Sequence, residues 1–223
     1  MLGRALQEED FSEAPGDTTL SDLRFRQLLS REDWEALPLP MRKRFSKRLS
    51  NGATVVYAGE VVETRFRVFG WLFAQLARVI GSPLPLFTDA NVPAVVTVTE
   101  DVRTSGQIWT RLYARRNGFP QIIQSSKQFR GDTGLEEHVG GGVGMALTTH
   151  RADHALQFRS ARYFVRLEGL EMTLPRWLTP GALTVTHLEN GDGRFTFTLD
   201  IVHPLFGQVL WQKAVFRDAS PHN

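Results

Sequence analysis

The spacing of apolar residues changes near residue 90, from a helical period to an alternation of two. Before that point, residues 66–80 are the most apolar stretch, and large side chains recur there every three or four positions. The stretch is shorter than the roughly 20 apolar residues that cross a bilayer, and Gln75 and Arg78 interrupt it. We therefore expect one long apolar helix that packs under protein, with Trp71 and Phe73 covered.

Alternation of apolar and polar residues predicts a series of strands with short links. The predicted strands span 53–62, 94–102, 107–115, 119–129, 135–149, 155–167, 183–189, 194–202 and 208–217. Such strands pair antiparallel, and many of them curl to limit exposed edges. The fold class we expect is α+β and predominantly β. It is a curved antiparallel sheet, or a half or closed barrel, of about eight or nine strands, with the long apolar helix and short N-terminal helices.

The beginning of the chain differs in composition from the rest. Residues 1–20 carry acids, Pro and Gly and lack an apolar run, so we interpret them as a flexible leader and 21–218 as a single β-rich domain. Ser30, followed by two acids, is a helix-start signal. Residues 41–49 are dense in cations, and a solvated helix face explains them better than a contact with anionic lipid or nucleic acid.

Composition removes several classes of function. The chain has 223 residues, no cysteine and a net charge of +2 at pH 7. Without cysteine, disulfides, thiolate zinc sites and a cysteine nucleophile are excluded for this chain. Its arginines are scattered singly along the predicted strands, which argues against a nucleic-acid partner. With no transmembrane run and no export signal, we expect a bacterial cytoplasmic protein.

One predicted strand, 107–115, carries an unusual row of side chains. Because strand side chains alternate, Trp109, Arg111 and Tyr113 share one face of it. If that face meets a cavity, Arg111 can hold a carboxylate or phosphate in bidentate geometry while the two rings flank an apolar body. In the alternative placement, Arg111 lies on the outer face and stacks on Trp109. The sequence leaves both placements open.

Glu137 has the same parity as Leu135 and Val139, so it points inward if they do. A buried carboxylate needs a partner, and Arg111 is the one we expect. The pair is either a buried ion pair that fixes strand register or a general acid or base with a shifted pKa. The candidate ligand-binding residues are therefore Trp109, Arg111, Tyr113, Glu137, Trp71 and Phe73.

Other patterns suggest chemistry but have a simpler explanation. The glycine-rich run 140–144 lacks the preceding apolar strand and following helix of a dinucleotide site. We expect it to bend a strand or to let the long helix approach the sheet. The six histidines lack ligand spacing, so neither a metal nor a cofactor is expected. The Ser-Ser-Lys sequence at 125–127 is interpreted as the polar face of a strand.

Short motifs along most of the chain match a known pattern. They are Leu37-Pro38, Met41 to Phe45, Gly106, Trp109, Arg111, Tyr113, Leu135, Glu137, Gly140, Leu174-Pro175, Trp177-Leu178, Pro180, Asp192 to Phe195, Phe197, Pro204, Gly207 and Val209. From 37 to 216 the chain resembles the bacterial family of domain of unknown function 4166. It departs from the family at 209–212, where a tyrosine and a glycine are expected. The resemblance implies a domain that occurs alone or joined to short-chain or saccharopine-type reductases, without an assigned activity.

These features predict a binding module in which a curved sheet around an apolar cavity holds a hydrophobic small molecule or lipid. One alternative is an enzyme of cyclase or isomerase type on the same scaffold, with Arg111 and Glu137 positioning or protonating the substrate. Another is an accessory domain that partners a reductase. A third interpretation makes the helix at 66–80 the contact between two copies in a homodimer.

Overall fold

Antiparallel strands close into a barrel in the part of the chain that the structure describes. The computed structural model describes residues 22–47, 49, 53–81 and 83–219, and the predicted leader lies outside this part. The strands are β1 (Thr54–Phe66), β2 (Val92–Asp101), β3 (Gly106–Tyr113), β4 (Gln121–Gln128), β5 (Glu136–Gly140), β6 (Val143–Ala152), β7 (Ala155–Leu167), β8 (Leu170–Thr173), β9 (Ala182–Gly191), β10 (Arg194–His203) and β11 (Gly207–Asp218). Their order around the barrel is β6-β5-β4-β3-β2-β1-β11-β10-β9-β7, and a β6–β7 pairing closes the ring. β8 folds back on the end of β7.

The prediction of a predominantly β, antiparallel barrel is confirmed, but the described chain contains ten barrel strands instead of eight or nine. The predicted strand 135–149 accounts for much of the difference, because it is divided into β5 and β6. Gly140, Gly141 and Gly142 make the turn between them with φ of 113°, 57° and 76°. A β-carbon on Gly140 would lie 2.4 Å from the carbonyl oxygen of Ile80. The glycines therefore turn the chain and also admit the segment that follows the helix.

The long apolar helix predicted at 66–80 is not formed. Phe66 is the last residue of β1. Helix α4 spans only Val68–Leu76, and a 3₁₀ helix, Ala77–Ile80, follows it. Gly81, with φ of 106°, ends this segment in the left-handed region.

Helix α4 contacts the barrel through its smallest side chains, contrary to expectation. Gly70 and Ala74 are buried, and a β-carbon on Gly70 would lie 1.8 Å from the carbonyl oxygen of Val209 on β11. Trp71 is 52% exposed and Phe73 is half-buried. The expectation of covered side chains is therefore wrong for Trp71. Because the stretch is apolar on nearly every side, its period does not identify the face that meets the barrel.

Short helices close the opposite end of the barrel. They are α1 (Arg24–Gln27), α2 (Arg31–Ala36) and α3 (Leu39–Phe45). The Ser30 hydroxyl accepts a hydrogen bond from the backbone N–H of Asp33, which caps α2 as predicted. The Phe25 ring packs edge to face on Phe45 and on Phe158 of β7, with centroids 5.2 and 5.9 Å apart. These rings fill that end of the barrel interior.

The cation-rich segment at 41–49 is only in part a solvated face. Lys43 is exposed, as expected. Arg44 instead forms an ion pair with Glu189 of β9 and lies 3.7 Å from the ring centroid of Phe195. Its charge therefore joins α3 to the barrel wall.

Candidate functional site

An apolar cavity of about 360 Å³ opens at the α4 end of the barrel. Its walls are formed by strands β3 to β7, β9 and β10, and α4 and the 3₁₀ helix lie across one side. The main apolar lining residues are Phe73, Leu76, Ala77, Ile80, Leu84, Ile123, Val139, Met145, Leu183, Val185, Phe197 and Leu199. A cavity of this size with mostly apolar walls is typical of a small-molecule site.

Four polar side chains meet at one place beside this cavity. We call Arg111, Ser125, Lys127 and Glu137 the polar cluster. Glu137 accepts two short hydrogen bonds, from Lys127 Nζ to Oε2 and from Ser125 Oγ to Oε1, each 2.6 Å long. Arg111 lies farther away, with Nη2 at 3.5 Å from Glu137 Oε1 and Nη1 at 3.1 Å from Ser125 Oγ. Arg111, Ser125 and Glu137 border the cavity.

Strand register explains why these side chains meet. On β3 and β4, Arg111 lies opposite Ile123, and the pair Gln107–Lys127 lies four residues farther along. Lys127 also lies opposite Glu137 on β5. Residues that share a parity on three adjacent strands therefore point into the barrel together.

The electrostatics of the polar cluster leave one cation in excess. Burial alone raises the pKa of Glu137, but Lys127 and Arg111 outweigh that effect and lower the pKa to about 2. Burial lowers the pKa of Lys127, against the effect of Glu137. With Lys127 protonated, two cations face one carboxylate. Arg111 lines the cavity and has the longer contacts, which use only two of the five N–H donors of its guanidinium.

The candidate residues from the sequence occupy three kinds of position. Phe73, Arg111, Tyr113 and Glu137 border the cavity. Trp109 lies on the same face of β3 but outside the cavity lining, and its Nε1 donates to Gln107 Oε1 at 3.2 Å. Trp71 lies on the exposed side of α4.

Sequence reasoning missed the strongest partner of Glu137, because it interpreted 125–127 as a polar face. The structure corrects this interpretation: Ser125 and Lys127 are buried inside the barrel. Ser126 faces outward and donates to Asp101 at 3.0 Å. The parity of Ile123 is the signal that could have placed Ser125 and Lys127 inside.

A second hollow, of about 490 Å³, lies where β7 stops pairing with β9. Tyr163, Leu174 and Thr179 border both hollows. The Tyr163 hydroxyl donates to the carbonyl oxygen of Gly181 at 2.9 Å, beyond the point where β7 and β9 stop pairing. We place the candidate site in the first cavity, because it combines apolar walls with the polar cluster.

In the described part of the chain, no three His, Cys, Asp or Glu side chains come together as metal ligands. In the same residues, no helix has both the length and the apolar character that a membrane span requires.

A family model described as "Domain of unknown function (DUF4166)" matches residues 37–216. This match confirms the resemblance seen in the short motifs. The matched range contains α3, almost all of the barrel and every residue around the cavity. No curated protein and no solved structure matches the chain.

Proposed function

Because the chain belongs to the family described as "Domain of unknown function (DUF4166)", a description that names no activity, we propose a function from the cavity itself. The barrel binds a hydrophobic small molecule or lipid that has an anionic head group. The observation that carries this proposal is the polar cluster, which places a partly free guanidinium at one point of an otherwise apolar cavity.

The excess positive charge favours an anionic head group. Glu137 is held by Lys127 and Ser125 at 2.6 Å each and lies 3.5 Å from Arg111, so a single carboxylate is shared between two cations. A carboxylate or phosphate of the ligand would supply the missing charge. The planar guanidinium of Arg111 suits such a group, because it can donate two parallel hydrogen bonds.

The rest of the cavity favours an apolar body. Phe197 and Leu199 on β10 face Ile123 and Met145 across the cavity. Removing an alkyl chain or ring system from water against such side chains contributes about 25 cal/mol per Å². The head group would therefore set the orientation of the ligand, and its apolar body would supply most of the affinity.

The alternative of a cyclase or isomerase is less well supported. A general acid or base works best with a pKa near the working pH. Lys127 and Arg111 hold the pKa of Glu137 at about 2 despite its burial, so this carboxylate suits a structural ion pair. The role beside a reductase follows from the family resemblance alone and stays a prediction.

The test compares a fluorescent fatty acid with the alcohol of the same chain length, titrated into the protein in solution. We expect the acid to bind about tenfold more tightly or better, because a hydrogen bond to a charged group contributes about 1.5–3 kcal/mol. Native mass spectrometry of gently purified protein should also show retained ligand. If neither compound binds, the proposed function is wrong.

A matched pair of variants tests the assigned residue. Arg111→Met should reduce the affinity for the acid to about that of the alcohol. Arg159→Met is the control, since Arg159 is exposed on β7 and hydrogen-bonds to Gln157. Equal loss in both variants, or an unchanged preference for the acid in Arg111→Met, would contradict the role of Arg111.

A further inference from the structure

Exposed apolar side chains lie on three segments that also contribute residues to the cavity: α4, the 3₁₀ helix Ala77–Ile80 and the 3₁₀ helix Arg176–Leu178. Val68 is 80% exposed and Val79 is 90% exposed, although both belong to the most apolar stretch of the chain. We define the mouth surface as Val68, Trp71, Leu72, Leu76, Val79, Trp177 and Leu178. Single exposed apolar residues are ordinary, but a contiguous group marks a contact with another apolar phase.

The mouth surface is continuous with the cavity. Leu76, from α4, and Leu178, from the 3₁₀ helix Arg176–Leu178, are both exposed and both border the cavity. They therefore lie where the interior reaches the outside. An apolar molecule that leaves the cavity would pass between side chains of the same character.

Packing of the fold does not account for these side chains. Helix α4 is held to β11 by Gly70 and Ala74, whereas Trp71 and Leu72 point away from the barrel. The backbone of the helix is fixed at its start by Arg67, whose N–H donates to the carbonyl oxygen of Val209 at 3.1 Å. The helix thus leaves Val68, Trp71, Leu72 and Leu76 exposed, while Phe69 and Phe73 pack on Phe206 and His203.

Cations accompany the mouth surface. Arg67, Arg78 and Arg176 are exposed, and none of them forms an ion pair with another residue that the structure describes. The sequence contains no acid from 67 to 81. Apolar residues with Trp and flanking arginines are the combination that binds an anionic membrane interface. A second copy of the chain would place the same arginines face to face without acids to pair them.

We propose that the mouth surface docks on a lipid bilayer that contains anionic lipid, so that the cavity opens directly onto the bilayer. This inference rests on the proposed function, because it identifies where a hydrophobic ligand enters and leaves. The apolar residues enter the interface, and the arginines contact the head groups. The ligand then moves between bilayer and barrel without crossing water.

The first test is flotation of the full chain with vesicles. Phosphatidylcholine vesicles are compared with vesicles of phosphatidylcholine mixed with phosphatidylglycerol. We expect binding to the mixed vesicles, and a loss of about tenfold or more in Val79→Asp, because burying a Val side chain is worth about 1.5 kcal/mol or more. Val102→Asp is the matched control. Val102 is an exposed valine beside Ser105, whose carbonyl oxygen contacts Arg24 at the closed end.

The second test separates charge from apolar contact. Replacing Arg67, Arg78 or Arg176 by Gln should weaken binding to the mixed vesicles about fivefold for each charge and leave binding to neutral vesicles unchanged. Arg103→Gln, at the closed end, should have no effect.

Brominated lipid should quench the fluorescence of Trp71 and Trp177 in the wild type. Equal vesicle binding by Val79→Asp and wild type would overturn the proposal. A dimer in light scattering that Val79→Asp converts to a monomer would also overturn it, because the mouth surface would then be the contact between two copies.

Ligand binding without vesicles keeps the two proposals apart. Val79 does not border the cavity, so Val79→Asp should bind the fluorescent fatty acid in solution as the wild type does. Vesicle binding without fatty-acid binding would contradict the proposed function but support the docking of the mouth surface on a bilayer. Fatty-acid binding without vesicle binding would remove the docking surface alone.

Discussion

Glu137 is a buried carboxylate whose two short contacts come from one strand, β4. Lys127 lies directly opposite it in the β4–β5 ladder, and Arg111 reaches it from β3 at 3.5 Å. Burying an ion pair is expensive, and removing one partner leaves an uncompensated charge that costs about 3–5 kcal/mol. The carboxylate therefore depends far more on Lys127 than on Arg111.

A double-mutant cycle measures this dependence. Lys127→Met and Glu137→Gln should each lower the free energy of unfolding by about 3–5 kcal/mol. The double variant should lose clearly less than the sum, because neither charge is left unpaired. Chemical denaturation of the four proteins gives the coupling energy.

A second double-mutant cycle, with Arg111→Met in place of Lys127→Met, serves as the comparison. Its coupling to Glu137 should be smaller than that of Lys127, because the Arg111 contact is 0.9 Å longer, at 3.5 against 2.6 Å. A larger coupling for Arg111 than for Lys127 would contradict the assigned pairing.

The pH dependence of the unfolding free energy tests the same interaction of Glu137 with Lys127 and Arg111. Lys127 and Arg111 lower the pKa of Glu137 from its ordinary 4.5 to about 2 in the folded protein, although burial opposes them. The stabilisation is therefore complete above the unfolded pKa of 4.5 and is lost as pH falls through the folded pKa of about 2. Its size is on the order of 3 kcal/mol.

We expect the difference in unfolding free energy between wild type and Glu137→Gln to narrow as pH falls from 4.5 towards 2. The other acids of the chain titrate in both proteins, so their effects cancel in the difference. A difference that stays constant over this range would show that the folded pKa of Glu137 is not lowered.

At the scale of elements, helix α4 packs closely on β11 because residue 70, at the contact, has no side chain. The contact between Gly70 and the carbonyl oxygen of Val209 leaves no room for a β-carbon. Leu72, on the same helix, is 46% exposed. Gly70 and Ala74 therefore allow the close approach of the helix to the barrel, and Phe69 and Phe73 add ring contacts with Phe206 and His203.

Gly70→Ala should destabilise the protein, although alanine favours a helix by about 1 kcal/mol. The added methyl group overlaps the backbone of β11, and such overpacking costs about 1–3 kcal/mol. Leu72→Ala is the control and should change the unfolding free energy by less than about 0.5 kcal/mol. Thermal unfolding of both variants checks the contrast. A stabilised Gly70→Ala would mean that the helix is not held at this contact.

Elements were predictable where one face is buried and the other is wet. On β10, Phe195 and Ile201 are buried while Arg194 and Val202 are exposed, and the predicted strand 194–202 matches its bounds within one residue. The stretch 66–80 lacks this contrast between an apolar face and a polar face. Every side of it is apolar, so the pattern could not show which of its large residues stay exposed and which meet the barrel.

The sequence predicts those residues of the candidate site whose orientation follows from the alternation of side chains along a strand. The shared parity of Arg111 and Tyr113 on β3, and of Glu137 on β5, places them beside one cavity. Lys127 was missed because a buried lysine is rare unless paired, and its partner lies on another strand. Pairing across strands depends on register, which a single sequence does not determine.

At the scale of the whole molecule, the barrel has two unlike ends. The aromatic side chains of α1 to α3 fill the interior at one end, with Phe25 within 5.9 Å of Phe45, Phe129 and Phe158. At the other end α4 leaves the cavity open beside Leu76 and Leu178. A ligand that enters beside Leu76 and Leu178 therefore meets the filled end, which limits its length.

The filled end depends on residues that the family match leaves out. The match begins at residue 37, yet Phe25 on α1 is only 1% exposed and packs inside the barrel. Phe25→Ala should therefore lower the unfolding free energy by about 3–5 kcal/mol, whereas Leu39→Ala, at an exposed position of α3, should change it by less than about 0.5 kcal/mol. Chemical denaturation compares the two. Equal, small effects would mean that α1 is an appendage and that the barrel closes without it.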